Sequence, residues 1–196
     1  VTQFFIGHSS WLASAAGVLI GAVLLWDLLF RSQIGFSMCF LEEMWSRNLG
    51  HLFVSPLRPH EFIISMMVVS CLRGFFGLLP SWILAFVFFE FSILSYGLGI
   101  VAFFSCLMVM GWALGMIVIA LVLRFGLGAE SLAWVAIFAF APISAVYYPV
   151  ETLPAWLQIV AWCTPSAYVF EGMRSVLIDS TFRYDLLLGA ILVNIA

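Results

Sequence analysis

Apolar residues run through this chain in long stretches, and one sustained polar segment interrupts them: Leu41 to Phe62, LEEMWSRNLGHLFVSPLRPHEF. Within it Leu41, Met44, Trp45, Leu49, Leu52 and Phe53 recur at helical spacing, while Glu42, Glu43, Ser46, Arg47, Gly50 and His51 fall opposite. This pattern predicts a short helix lying across a membrane surface. Ser55-Pro56 ends it. Pro59, followed by His60 and Glu61, opens a new helix with proline in its first turn and an acid where the helix dipole favours one. Two long apolar regions are therefore joined by a structured elbow.

On the N-terminal side, residues 1–10 read as the end of an earlier span and a loop, with His8 as a loop residue. A full span lies within Trp11 to Phe40 and carries Asp27 and Arg31. After the elbow, Phe62 to Phe89 is a second span, containing Arg73 and a kink expected at Pro80. Glu90 to Leu98 reads as a tight turn, Gly99 to Leu123 as a third span, and Leu132 to Val146 as a fourth after the glycine-rich FGLGAES. From Pro149 to Tyr184 the pattern changes: prolines and interleaved aromatic and apolar residues predict short interfacial or re-entrant helices. A last span begins near Tyr184. Val1 is no start residue and the apolar run Leu186 to Ala196 is too short to cross a bilayer, so the chain reads as a fragment missing both termini.

Composition narrows the class. Of 196 residues, 65% are hydrophobic and 9% charged, with a mean hydropathy of +1.18, more apolar surface than a soluble domain of this size can hide. The runs far exceed a barrel strand, so the fold class is all-α, a polytopic transmembrane helical bundle. Seven arginines, no lysine and ten acids give a net charge of -3 and no basic face for nucleic acid. Arg31, Arg47, Arg58 and Arg124 fall on the elbow side and Arg174 and Arg183 on the other, which puts the elbow in the cytoplasm and the Trp and Tyr cluster at 147–168 at the outer interface.

Few residues invite chemistry. Cys39, Cys71, Cys106 and Cys163 lack metal-ligand spacing and read as packed thiols. His8, His51 and His60 form no HxxH or HExxH, and neither GxSxG nor a phosphate loop appears, so no catalytic residue, metal site or cofactor is assigned to this chain. Any ATP must be bound by another protein. Asp27 and Arg73 reach similar depths in an antiparallel pair, on the order of 16 to 21 Å from the cytoplasmic end, which predicts an intramembrane Asp27–Arg73 ion pair fixing helix register. Gly17 with Gly21, and Gly111 with Gly115, predict close helix packing. The mixed charge of the elbow (Glu42, Glu43, Arg47, His51, Arg58) suits a protein surface better than anionic headgroups. It fits a docking helix for a cytoplasmic partner, though a plain surface-lying connector accounts for the same pattern.

Two motifs, FLEEMWSRNLGHLFVSPLRPHEF and YYPVETLPAWLQIVAWCTPSAYVFEGMR, resemble the permease subunits of the type-2 ABC exporter family, in the expected order and with the expected spans between them. The resemblance implies a single permease domain over 1–196, part of a six-span half truncated at both ends. It implies that 41–58 is the cytoplasmic coupling helix, in which Glu42, Glu43, Trp45, Arg47, His51 and Arg58 meet a separately encoded ATPase subunit that holds ATP and magnesium. It implies that 149–183 is an outer re-entrant segment marked by Pro149, Leu153, Pro154, Leu157, Pro165, Tyr168, Glu171 and Arg174. A second permease half, identical or paired, completes the unit in a bacterial inner membrane. The expected activity is export of a hydrophobic, amphipathic or lipid-linked glycan substrate. The alternatives are a non-transporting membrane scaffold and, resting on Asp27, Arg73 and Glu90, a proton-coupled carrier.

Overall fold

A computed structural model describes residues 10–89, 98–179 and 181–195. Among the described residues eight α-helices follow in order: α1 Ser10–Trp45, α2 Leu49–Val54, α3 Pro59–Phe89, α4 Leu98–Phe125, α5 Leu132–Phe140, α6 Ala155–Trp162, α7 Pro165–Asp179 and α8 Tyr184–Ile195. Short 3-10 turns at Leu127–Ala129 and Val150–Thr152 punctuate them, and no strand occurs among the described residues. The protein is an all-α polytopic membrane protein. Gly17–Trp45, Pro59–Val87 and Gly99–Phe125 are each long and apolar enough to cross a bilayer. Glu90 and most of the expected turn to Leu98 lie outside the described residues, as does His8.

The long first helix is the spine. At 36 residues it extends about 54 Å, longer than the hydrocarbon thickness of about 30 Å. It packs most extensively on α4 and α3, then on α7 and α5. Away from the elbow, its Leu25, Leu28 and Leu29 meet Ile100, Phe103 and Leu107 of α4 and Phe170 and Met173 of α7 in one buried cluster. Toward the elbow, Phe36, Phe40 and Leu41 meet Met66 of α3, Val118 and Val122 of α4, and Ala133 of α5.

Small and hydroxyl residues set how closely these helices approach, since apolar burial gives little drive for association in lipid. A side chain at Gly111 would strike Ser32, and one at Gly115 would strike Phe36, while Gly17 faces open space. The α4 glycines therefore make the close contact, and Gly17 does not. Hydrogen bonds cross the same seam: Ser32 Oγ donates to Met108 O at 2.9 Å, Ser70 Oγ to Ser32 O at 3.1 Å, and Trp112 Nε1 to Ser70 Oγ at 3.4 Å.

The helix α3 packs chiefly on α1 and turns Val68, Leu72, Phe75, Phe76 and Val87 outward, an apolar face for lipid. It runs unbroken through Pro80. The expected fourth span is the main departure in the fold. The helix α5 stops at Phe140 after nine residues, about 14 Å and too short to cross alone, because Pro142 has no amide hydrogen to continue the ladder. Turns at 141–145 follow and deliver the backbone to the segment that holds α6 and α7.

Candidate functional site

The elbow is built by local rules. Helix α1 does not end at Phe40 but continues to Trp45, so the first turn of the expected elbow helix belongs to it and only Leu49–Val54 forms the separate α2. The break is a left-handed helix stop. Asn48 N donates to Glu43 O at 3.0 Å and Arg47 N to Met44 O at 3.1 Å, the paired bonds of a Schellman turn, with Arg47 at φ 56 where glycine is usual. Asn48 Nδ2 adds a bond to Glu43 Oε2 at 2.6 Å.

Beyond α2, Ser55 Oγ donates to Leu52 O at 2.6 Å. The start of α3 is capped as its sequence predicts: Pro59 stands at the first helical position and Glu61 Oε2 accepts the Arg58 amide at 2.8 Å. Trp45 Nε1 donates to Glu130 Oε2 at 3.1 Å, which places the α4–α5 turn at the elbow end of the bundle.

This construction divides the elbow's apolar residues. Leu41 is buried and Met44, Leu49 and Leu52 are partly buried, whereas Phe53 and Val54 are 76% and 88% exposed. Arg47, His51 and Arg58, near them in sequence, are exposed too. Six residues cannot carry a long amphipathic stripe, and Phe53 and Val54 instead form a projecting apolar tip. Glu42 and Glu43, grouped with the elbow's polar face, are tied within the chain.

The expected Asp27–Arg73 pair does not form. Asp27 Oδ2 lies 2.9 Å from Arg31 Nε, one turn along α1, and Arg73 makes a two-bond pair with Glu42, at 2.9 and 2.7 Å. Matched depth is not sufficient for pairing. Arg31, four residues on, reaches Asp27 without crossing to another helix, and the long Arg73 side chain finds Glu42 nearer the elbow. Both residues behind the carrier reading are thus engaged elsewhere, and its third, Glu90, is outside the described residues.

The far segment is held by long-range bonds. Glu171 Oε1 accepts the Val150 amide at 2.8 Å and lies 2.9 Å from Arg174 Nη1, in an ion pair whose side chains are 22% and 11% exposed. Arg174 Nη2 donates to Tyr148 O at 2.7 Å and Val146 O at 3.2 Å, and also to Ala145 O. Ala145 sits at φ 51, which helps turn these carbonyls toward one guanidinium. One side chain thus gathers a non-helical loop whose backbone groups would otherwise be unsatisfied in an apolar setting.

The remaining marked positions surround this hub. Pro165 is buried at the start of α7, Tyr168 packs edge-on against Trp162 with ring centroids 4.8 Å apart, Leu153 and Leu157 are partly buried, and Pro149 and Pro154 are exposed. Tyr147, Trp156 and Ile159 project outward. Glu171 and Arg174 had been marked only as part of the re-entrant motif, and the buried hydroxyls of the same segment had not been marked: Ser166 Oγ lies 3.1 Å from Ser144 Oγ and 3.1 Å from Thr164 Oγ1. The four cysteines are free thiols, Cys163 exposed. Among the described residues no group of metal-ligating side chains converges.

A family model for the ABC-2 type transporter matches residues 1–178. The chain belongs to this family. It is an ABC transporter permease, a membrane transport component whose family works with a separate ATPase subunit. No curated protein matches the chain. The match takes in the elbow, the three long helices and all of the Arg174 hub, while α8 lies beyond it.

Proposed function

We propose that this ABC-2 permease is one half of an exporter and that its elbow, 41–58, is the coupling element that seats in a cleft of the ATPase subunit. The observation that carries this reading is the exposed apolar tip of Phe53 and Val54, flanked along the chain by exposed Arg47, His51 and Arg58. An exposed apolar anchor beside polar and charged side chains is what a protein partner's pocket recognises. Arginine placement supports a cytoplasmic elbow and leaves 149–183 as the outer re-entrant segment.

In this mechanism two permease chains and two ATPase chains form the unit in a bacterial inner membrane, with ATP and magnesium on the ATPase. Nucleotide binding closes the ATPase pair, each elbow moves with its subunit, and α1 and α3, joined rigidly through the capped turns, rock to change access to a pathway between the halves. The cargo is hydrophobic, amphipathic or a lipid-linked glycan.

Because Glu42 and Glu43 are occupied within the chain, the direct test is at the tip. Tagged full-length chain is purified gently from its native membrane and the accompanying ATPase activity is measured. The double substitution Phe53→Asp with Val54→Asp should cut recovered ATPase at least about tenfold, as loss of an interface hot spot does, while membrane insertion is retained. Undiminished recovery would exclude the tip as the dock. If the unaltered chain brings down no ATPase, the elbow serves a non-hydrolysing partner and the scaffold reading stands instead.

A further inference from the structure

At the end of the bundle away from the elbow, a cavity of about 190 Å³ opens between α6, α7 and the start of α8. Trp162, Val150 and Leu186 give it an apolar wall, and Glu151, Gln158, Glu171 and Arg183 give it polar corners. It is smaller than the roughly 300 to 1,000 Å³ of sites for drug-sized ligands, so it suits a single small ring or headgroup.

Its hydrogen-bonding capacity is of both kinds. Gln158 Nε2 donates to Glu151 O at 3.2 Å and Leu153 O at 2.7 Å, which commits the amide nitrogen to the protein and leaves Oε1 as an acceptor. The contacts of Glu171 with Val150 and Arg174 fall on Oε1, leaving Oε2 for another donor, and the Glu151 carboxylate is exposed. Arg183 engages Asp185 through Nε at 3.3 Å and Nη2 at 2.5 Å, with Nη1 outside that pair. The Trp162 ring is steadied by Tyr168.

We propose that this cavity binds a pyranose ring. Several acceptors together with the Arg183 donor around a small space call for a ligand that donates and accepts at successive positions, as ring hydroxyls do. An indole wall suits the apolar face of the same ring. A simple ammonium ion would satisfy the carboxylates but would meet the Arg183 guanidinium and leave Gln158 Oε1 and the apolar wall less well used. The inference does not rest on ATPase coupling, since it concerns the opposite end of the molecule, and either can fail while the other holds.

The test is saturation-transfer NMR on the full chain in lipid nanodiscs, with methyl glycosides of glucose, galactose, mannose and N-acetylglucosamine, and with tetramethylammonium as a cationic competitor. Transfer to at least one glycoside is expected. Affinity should fall about tenfold in Glu151→Ala, the scale of a hydrogen bond to a charged group, and binding should be lost in Trp162→Leu, with Trp156→Ala on the outer face of α6 unchanged. Displacement of the methyl glycoside by a glycolipid of the same sugar doped into the nanodisc would show that the ring arrives on lipid; its absence would show a free sugar. No transfer to any glycoside, transfer undiminished in Glu151→Ala and Trp162→Leu, or full displacement by tetramethylammonium would each overturn the proposal. Because Glu151 is exposed and outside the buried core, its variant remains informative if Trp162→Leu does not fold.

Discussion

The elbow and the Arg174 segment are both breaks in an otherwise helical chain, but they are stabilised by bonds of opposite range. In the elbow the bonds that shape the turns join residues within five positions, Asn48 to Glu43, Arg47 to Met44, Ser55 to Leu52 and Arg58 to Glu61, and among the described residues only Trp45 to Glu130 and Glu42 to Arg73 tie it to distant residues. In the far segment Arg174 and Glu171 reach back 21 to 29 positions to Val150 and to the carbonyls of Ala145, Val146 and Tyr148. The consequence is a difference in what each region can offer. A locally capped elbow keeps its shape while leaving Phe53, Val54 and His51 uncommitted for a partner. The far segment spends its charged side chains on holding itself together, and its shape depends on α7 being docked.

The largest effect that would break this contrast is at Arg174. Replacing it by alanine strands Glu171 and releases three carbonyls in a nearly buried site, and should cost about 3 kcal/mol or more, read by equilibrium unfolding in bicelles. A cost near zero would mean that the loop is held by its apolar contacts and not by the hub. At the elbow the same method should register a gain: Arg47→Gly removes the left-handed strain at φ 56 and should stabilise by about 1 kcal/mol, unless Arg47 is held there by a partner. The smallest change is Glu61→Ala, which removes only one cap bond of α3 and should cost about 0.5 to 1 kcal/mol. If it matched the loss at Arg174, the elbow would be as tightly integrated as the far segment and the contrast would fail.

Much of this was legible before the structure. Prolines at 56 and 59, the acid at 61 and the glycine-rich run after Phe125 all fall at helix ends, because punctuation and capping depend on near neighbours. Leu132 to Val146 was read too long because its apolar run was followed past Pro142, which stops the hydrogen-bond ladder. The elbow was read as one helix for a related reason. Its period continues across Ser46 to Asn48, and only the left-handed turn at Arg47 divides it.

By itself, then, the sequence determined an all-α membrane protein with one polar elbow and a proline-rich segment far along the chain, since hydropathy and turn chemistry act over spans of a few to about twenty residues. Only the tertiary structure decided which charges meet across helices. Depth along two helices made Asp27 and Arg73 plausible partners, but Arg31, one turn along the same helix, takes Asp27 locally, and the placement of α1 against α3 gives Arg73 to Glu42. The seat of α1 is set by packing against α4 through Gly111, Gly115 and Ser32, and that of α3 by its packing on α1, with Ser70 bonded to Ser32 O, contacts that no local pattern specifies.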